Sequence, residues 1–84
     1  MHIETSPTID GLLKKISEYD QAADLDIVRL TYDFAKQAHE GQFRKSGEPY
    51  IIHPLAAAHI LADMRIDPVI IMATLLHDVP EDTS

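Results

Sequence analysis

The chain has 84 residues, of which 45% are hydrophobic and 25% charged, the composition of an ordinary globular protein of one domain at most. Its 7 Lys and Arg residues against 14 Asp and Glu residues give a formal net charge of −7. The surface as a whole therefore repels nucleic acid, and a polyanionic ligand would need a local basic patch or a metal ion. Cysteine is absent, which excludes disulfides and thiolate metal sites.

The sequence predicts neither a membrane span nor a secretory signal. The longest nearly apolar run, residues 69–76, is far shorter than the roughly 20 residues that a bilayer-spanning helix needs. The first four residues contain no basic region followed by an apolar core. A cytoplasmic location is therefore the default expectation, with no membrane partner.

Apolar residues at helical spacing predict four helices and no strand. The first covers about residues 9–19 with Thr8 as its N-cap, and the second covers about residues 25–39 with Asp24 as its N-cap. Gly41 follows the second helix as a stop signal. One side of the second helix is lined by Ile27, Leu30, Phe34 and Ala38, with Val28, Thr31 and Ala35 beside them.

Prolines are expected to begin the third and fourth helices, because a proline at the first helical position loses no hydrogen bond. Pro54 should begin the third helix, which runs to about residue 64. Pro68, preceded by Asp67, should begin the fourth helix, which runs to about residue 78.

An irregular stretch, residues 41–52, separates the second helix from the third. It carries Arg44 and Lys45, the only adjacent basic pair outside the first helix, followed by Ser46 and Gly47. A guanidinium group offers a planar fork to phosphate and can stack on a base, so these residues are candidates for phosphate binding. The alternative is a plain surface loop, since no P-loop or Rossmann glycine motif is present.

The densest group of potential ligands and acid–base groups is His77-Asp78-Val79-Pro80-Glu81-Asp82. Because Pro80 cannot continue a regular helix, His77 and Asp78 are expected in the last turn of the fourth helix, with Glu81 and Asp82 just beyond it. Imidazole and carboxylate groups together suit a hard or borderline divalent cation. Two such side chains can converge on one ion in a groove between helices.

The other candidate site residues are three further histidines and the acidic pair Glu81-Asp82. His53, at the edge of the third helix, is a possible third metal ligand. Glu81 and Asp82 suit a general acid or base, since two close carboxylates raise the pKa of one of them. For each residue alone, the simpler alternative is an exposed, capping or solvated side chain. His39 and His59 are candidates by residue type, and His59, among alanines, is expected to be a packed or surface histidine.

Two stretches of the sequence, in this order, resemble the hydrolase domain of RelA/SpoT homologues, the enzymes that make and destroy the alarmone (p)ppGpp. The first is residues 38–54, AHEGQFRKSGEPYIIHP. The second is Leu75-Leu76-His77-Asp78 followed by Glu81-Asp82-Thr83. It resembles the His-Asp pair that names the HD metal-dependent phosphohydrolase superfamily, followed by the Glu-Asp pair of this branch. The resemblance covers about residues 27–84.

The resemblance implies an all-α fold, namely the N-terminal portion of a helical HD phosphohydrolase domain, with the remainder of that domain beyond residue 84. It implies Mn²⁺ held by His53, His77, Asp78 and one further Asp. The reaction would remove pyrophosphate from the 3′ position of (p)ppGpp and leave GDP or GTP. The roles implied for the other matching residues are activation of water and proton transfer by Glu81 and Asp82, and nucleotide binding by Arg44, Lys45 and Ser46, with Arg44 against the guanine.

Because synthetase-only relatives tend to lose the His-Asp and Glu-Asp pairs, their presence here favours a hydrolase-competent, bifunctional (p)ppGpp synthetase/hydrolase as the parent protein. One alternative is a small single-domain alarmone hydrolase with the same chemistry. Another is a non-catalytic regulatory helical module, which the absence of metal binding would favour. The 84 residues alone are expected to be inactive.

Overall fold

The structure, a computed structural model, describes residues 7–77 and residue 79. It contains four helices: α1 (Ile9–Tyr19), α2 (Leu25–Ala38), α3 (Ile52–Asp63) and α4 (Pro68–Leu76). The described residues form no strand, and Phe43 and Pro49 make a single isolated antiparallel bridge. The predicted all-α class and the number of helices are confirmed.

Three of the helices begin at capping side chains, and the sequence predicts two of these caps, Thr8 and Asp24. Thr8 Oγ1 accepts a hydrogen bond of 3.0 Å from the Gly11 N–H, which satisfies one of the unpaired donors of the first turn. Asp24 does the same for α2 through the Ile27 N–H, at 3.2 Å. Asp67 accepts from the Val69 N–H at 2.8 Å and is followed by the proline that opens α4.

The third helix begins earlier than predicted. Its first residue is Ile52, so Pro54 lies within the first turn rather than at the first position. The amide N–H groups of the whole first turn lack partners within the helix, so a proline anywhere in that turn removes no helical hydrogen bond. The position of a proline therefore limits where a helix can begin without fixing it to one residue.

Only part of the side of α2 that the sequence singles out is buried. Ile27, Leu30 and Phe34 are 48%, 64% and 58% exposed, and the buried residues of the helix are Val28, Tyr32 and Ala35. Two neighbouring stripes of this helix carry apolar residues at helical spacing, and spacing cannot decide between them. The packing of α1 and α4 against α2 selects the second stripe.

The core lies where the four helices meet. The helix α4 packs on α2 and α3, and α1 packs on the same two helices. The largest fully buried side chains include Leu12 and Ile16 from α1, Leu55 from α3, and Ile71 and Leu75 from α4. Within the part of the chain that is described, no helix has the length and apolar character needed to cross a bilayer.

Polar contacts at the edges of the core fix how the helices meet. The Tyr19 hydroxyl, at the end of α1, donates a hydrogen bond of 2.6 Å to the carbonyl oxygen of Ile66 in the turn between α3 and α4. Lys15 pairs with Asp63 at 3.0 Å, and Arg29 pairs with Asp10. The short turn at residues 64–67 makes α3 and α4 antiparallel neighbours, so the beginning of α3 and the end of α4 lie at the same end of the pair.

Candidate nucleotide and metal site

A short hairpin between α2 and α3 presents the basic residues. The Arg44 N–H donates to the Glu48 carbonyl oxygen at 2.8 Å, and the Gly47 N–H donates to the Arg44 carbonyl oxygen at 2.8 Å. Gly47 has a φ of 95°, so this is the pattern of a three-residue hairpin loop closed by a glycine in the left-handed region. The hairpin places Lys45 and Ser46 at its tip.

Backbone hydrogen bonds join the base of this hairpin to both flanking helices. The Gln42 N–H donates to the His39 carbonyl oxygen at 2.9 Å, and the Tyr50 N–H donates to the Gln42 carbonyl oxygen at 2.9 Å. The His53 N–H then donates to the Tyr50 carbonyl oxygen at 3.0 Å. The chain from the end of α2 to the first turn of α3 is therefore held by consecutive backbone contacts.

The hairpin carries two adjacent positive charges on a chain whose net charge is negative. Arg44, Lys45 and Ser46 are all exposed and line an open depression together with Phe43, Glu48 and Tyr50. Neither Arg44 nor Lys45 forms an ion pair with a carboxylate of the described residues. Both cations are thus available to an anionic ligand, on a chain whose formal net charge is −7.

Two of the predicted metal ligands lie at matching ends of neighbouring helices. His53 is exposed in the first turn of α3, and His77 is the exposed C-cap of α4. The His77 Nδ1–H donates to the carbonyl oxygen of Thr74 at 3.2 Å. A histidine that binds a metal commonly donates its other ring N–H to a backbone carbonyl in this way.

The remaining predicted site residues, Asp78, Glu81 and Asp82, lie outside the described residues. Among residues 7–77 and residue 79, no three His, Asp or Glu side chains come close enough to hold a metal ion. The ligand set therefore stays a prediction, supported by the types of its members and by the hydrogen bond that orients His77.

The sequence did not single out a stack of rings behind the hairpin. The ring of His39, which is only 3% exposed, stacks on the ring of Tyr50 with centroids 4.7 Å apart. The His39 Nδ1–H donates to Gln42 Oε1 at 2.8 Å, and His39 Nε2 has no hydrogen-bond partner among the described residues. In the sequence, His39 was a candidate by residue type alone. Tyr50 was notable only as part of the stretch of residues 38–54 that resembles RelA/SpoT homologues.

His59 has a structural role. Its Nε2–H donates to the carbonyl oxygen of Thr8 at 2.8 Å, which ties α3 to the beginning of α1. The ring is partly buried, as expected of a packed or surface histidine. His59 is therefore set apart from the hairpin histidines by its contacts.

Comparisons with known proteins show the family to which the chain belongs. Residues 31–84 match the HD domain family, so the chain belongs to that family. Within it, the chain is 52% identical over 73 residues to the guanosine-3′,5′-bis(diphosphate) 3′-pyrophosphohydrolase of Vibrio cholerae, which covers 87% of this chain and 10% of that protein. The resemblance to RelA/SpoT enzymes is confirmed.

Two bifunctional relatives show the same degree of similarity. The (p)ppGpp synthase/hydrolase SpoT of Escherichia coli is 50% identical over 74 residues, covering 88% of this chain and 10% of SpoT. The (p)ppGpp synthase/hydrolase RelA of Mycobacterium tuberculosis is 46% identical over 79 residues, covering 94% of this chain and 11% of RelA. The chain spans about a tenth of the length of these relatives.

Proposed function

We propose that this chain forms part of a manganese-dependent hydrolase that removes the 3′-pyrophosphate of (p)ppGpp in the stringent response. The observation that carries the proposal is the hairpin, on which Arg44, Lys45 and Ser46 are exposed together and which is joined by backbone hydrogen bonds to His53. The names of the similar proteins from Vibrio cholerae and Escherichia coli support the choice of substrate.

The hairpin residues would bind the nucleotide. The ammonium group of Lys45 and the guanidinium group of Arg44 would offset phosphate charge, which the acidic remainder of the surface cannot do. The Arg44 plane would also stack against the guanine base. The Ser46 hydroxyl would donate or accept one hydrogen bond at the tip of the hairpin.

His53, His77 and Asp78, with one further Asp, would hold the metal ion. Imidazole and carboxylate ligands suit Mn²⁺. When bound, the ion would supply Lewis-acid activation of water at neutral pH. The hydrogen bond from His77 Nδ1 to the Thr74 carbonyl oxygen would help to orient this ring, with Nε2 as the ligating atom.

Glu81 and Asp82 would handle protons. Hydrolysis breaks the bond between the 3′ oxygen and the pyrophosphate, with the water oxygen joining phosphorus and a proton reaching the 3′ oxygen. A positioned carboxyl group that takes up and returns these protons contributes about 10² to 10⁴ in rate. The products are GDP or GTP and pyrophosphate.

Because the chain spans about a tenth of each relative, we propose that it works as the N-terminal part of the hydrolase domain of a longer cytoplasmic protein that is also a synthetase. One metal ligand and part of the nucleotide pocket would then come from the rest of that domain. The 84 residues alone would show no turnover, or a trace at most.

The metal assignment is tested by titrating the 84-residue chain with Mn²⁺ in a calorimeter. The chain should bind Mn²⁺ weakly, and His77→Ala should lose most of that binding because the Nε2 ligand is gone. His59→Ala is the matched control, since its ring bonds to the Thr8 carbonyl oxygen instead. Circular dichroism checks that both variants fold. If His77→Ala binds Mn²⁺ as well as the unaltered chain, the assignment is wrong.

A further inference from the structure

Three aromatic rings lie in sequence from the buried end of α2 to the exposed start of α3. The rings of His39 and Tyr50 are stacked, with centroids 4.7 Å apart and planes inclined by 29°. The rings of Tyr50 and His53 meet edge to face, with centroids 6.0 Å apart and planes inclined by 72°. Both arrangements are ones that aromatic pairs favour.

The first ring of the series is firmly fixed. His39 is the C-cap of α2, and only 3% of it is exposed. Its Nδ1–H donates a hydrogen bond to Gln42 Oε1. The Gln42 carbonyl oxygen in turn accepts the Tyr50 N–H. The imidazole of His39 and the backbone of Tyr50 are therefore both held by Gln42, which keeps the two stacked residues side by side.

The last ring has few other restraints. His53 is exposed, and its backbone N–H donates to the Tyr50 carbonyl oxygen at 3.0 Å. An exposed side chain samples several rotamers, and a metal site loses affinity when a ligand must first be ordered. A ring that lies edge-on against Tyr50 is already restricted before any ion binds.

We propose that His39 and Tyr50 are positioning residues, in which His39 holds the Tyr50 ring and Tyr50 holds the His53 imidazole in the orientation that binds the metal. This inference rests on the proposed function, because it takes His53 as a ligand. Both positioning residues flank the hairpin, since His39 caps the end of α2 and Tyr50 comes just before α3.

The inference is tested with two variants that differ only in the ring. Tyr50→Phe and Tyr50→Leu both remove the hydroxyl group, so any contact of that group is lost equally in both. His39→Leu removes the first ring and keeps a buried side chain of similar size. Phe34→Leu, on the exposed stripe of α2, is the control for replacing an aromatic ring by leucine elsewhere. Circular dichroism checks that each variant folds.

The first measurement needs no metal. The side-chain proton resonances of His53 in the 84-residue chain report ring currents and rotamer averaging. Tyr50→Phe and Phe34→Leu should leave them close to those of the unaltered chain. Tyr50→Leu and His39→Leu should both move them towards the values of a free histidine. Identical His53 resonances in Tyr50→Phe and Tyr50→Leu would overturn the inference.

The second measurement is a Mn²⁺ titration of the same variants. Tyr50→Leu should bind about 2- to 10-fold more weakly than Tyr50→Phe, the range that corresponds to one aromatic pair. Equal affinities in these two variants would overturn the role of the stack in metal binding. If the unaltered chain binds no Mn²⁺, the proposed metal site fails. The His53 resonances of His39→Leu, which keeps the Tyr50 ring, still decide whether the stack orients His53.

Discussion

Replacing Gly47 by alanine tests whether the shape of the hairpin matters for nucleotide binding. Gly47 has a φ of 95°, and a Cβ added there would have no heavy atom within 4 Å. The cost is therefore conformational, about 1–2 kcal/mol for a non-glycine residue in the left-handed region. The free hairpin can relax to avoid this cost, but it must adopt the original turn again to bind. Since 1.4 kcal/mol is a factor of ten, affinity should fall about 5- to 30-fold.

The assay is a titration of the chain with ppGpp in the presence of Mn²⁺, followed through the backbone amide resonances of Lys45 and Ser46. Gly41→Ala is the matched control, because Gly41 also has a positive φ, 83°, and also has no heavy atom within 4 Å of an added Cβ. Its cost should appear in the free energy of unfolding, with ppGpp affinity changed much less. Equal losses of affinity in the two variants, or no loss in Gly47→Ala, would refute this account of the hairpin.

Two further outcomes are expected. Tyr19→Phe should lower the free energy of unfolding by about 1–2 kcal/mol, because the Ile66 carbonyl oxygen loses its partner. Burial, and then the charges of Asp20 and Asp67, raise the pKa of Tyr19 above its ordinary value of 10.0. The stabilisation that the neutral Tyr19 hydroxyl gives is therefore complete below pH 10 and is lost as the pH rises through the folded-state pKa. Urea unfolding curves should show that the difference in stability between Tyr19→Phe and the unaltered chain narrows above pH 10. A constant difference would contradict this. In a full-length enzyme carrying this sequence, Arg44→Ala should raise KM for ppGpp more than it lowers kcat, because an interaction of equal strength in the ground and transition states appears mainly in KM. Steady-state kinetics in which kcat falls at constant KM would assign Arg44 another role.

The sequence predicted the elements that depend on local chemistry. Capping by Thr8, Asp24 and Asp67 involves hydrogen bonds to residues two or three positions away, so the residue types suffice to place the helix starts. The sequence did not decide which side of α2 is buried, because the apolar stripes that begin at Ile27 and at Val28 have similar spacing. Only the positions of α1 and α4 decide which stripe is covered.

The candidate site likewise contains some features that local chemistry predicts and others that depend on the fold. The run Arg44-Lys45-Ser46-Gly47 was predicted as an irregular loop, whereas the structure closes it into a hairpin through hydrogen bonds from Arg44 to Glu48 and from Gly47 to Arg44. The stack of His39 on Tyr50 was missed because it forms across the loop, between side chains that become neighbours only when the hairpin closes. Asp78, Glu81 and Asp82 remain predictions from the two signatures.

The antiparallel pairing of α3 and α4 has a consequence for how the chain folds. The contacts of the hairpin, such as Arg44 with Glu48, join residues close in sequence, and the entropy cost of closing such short loops is small. His53 and His77, in contrast, are 24 residues apart in the sequence and come to the same end of the helix pair only after α4 has packed against α3. An ion that requires both histidines binds the packed state and not the unfolded one, so it stabilises that state by mass action. Under the proposed function, Mn²⁺ would therefore stabilise the packing of α4 on α3 in addition to supplying Lewis-acid chemistry.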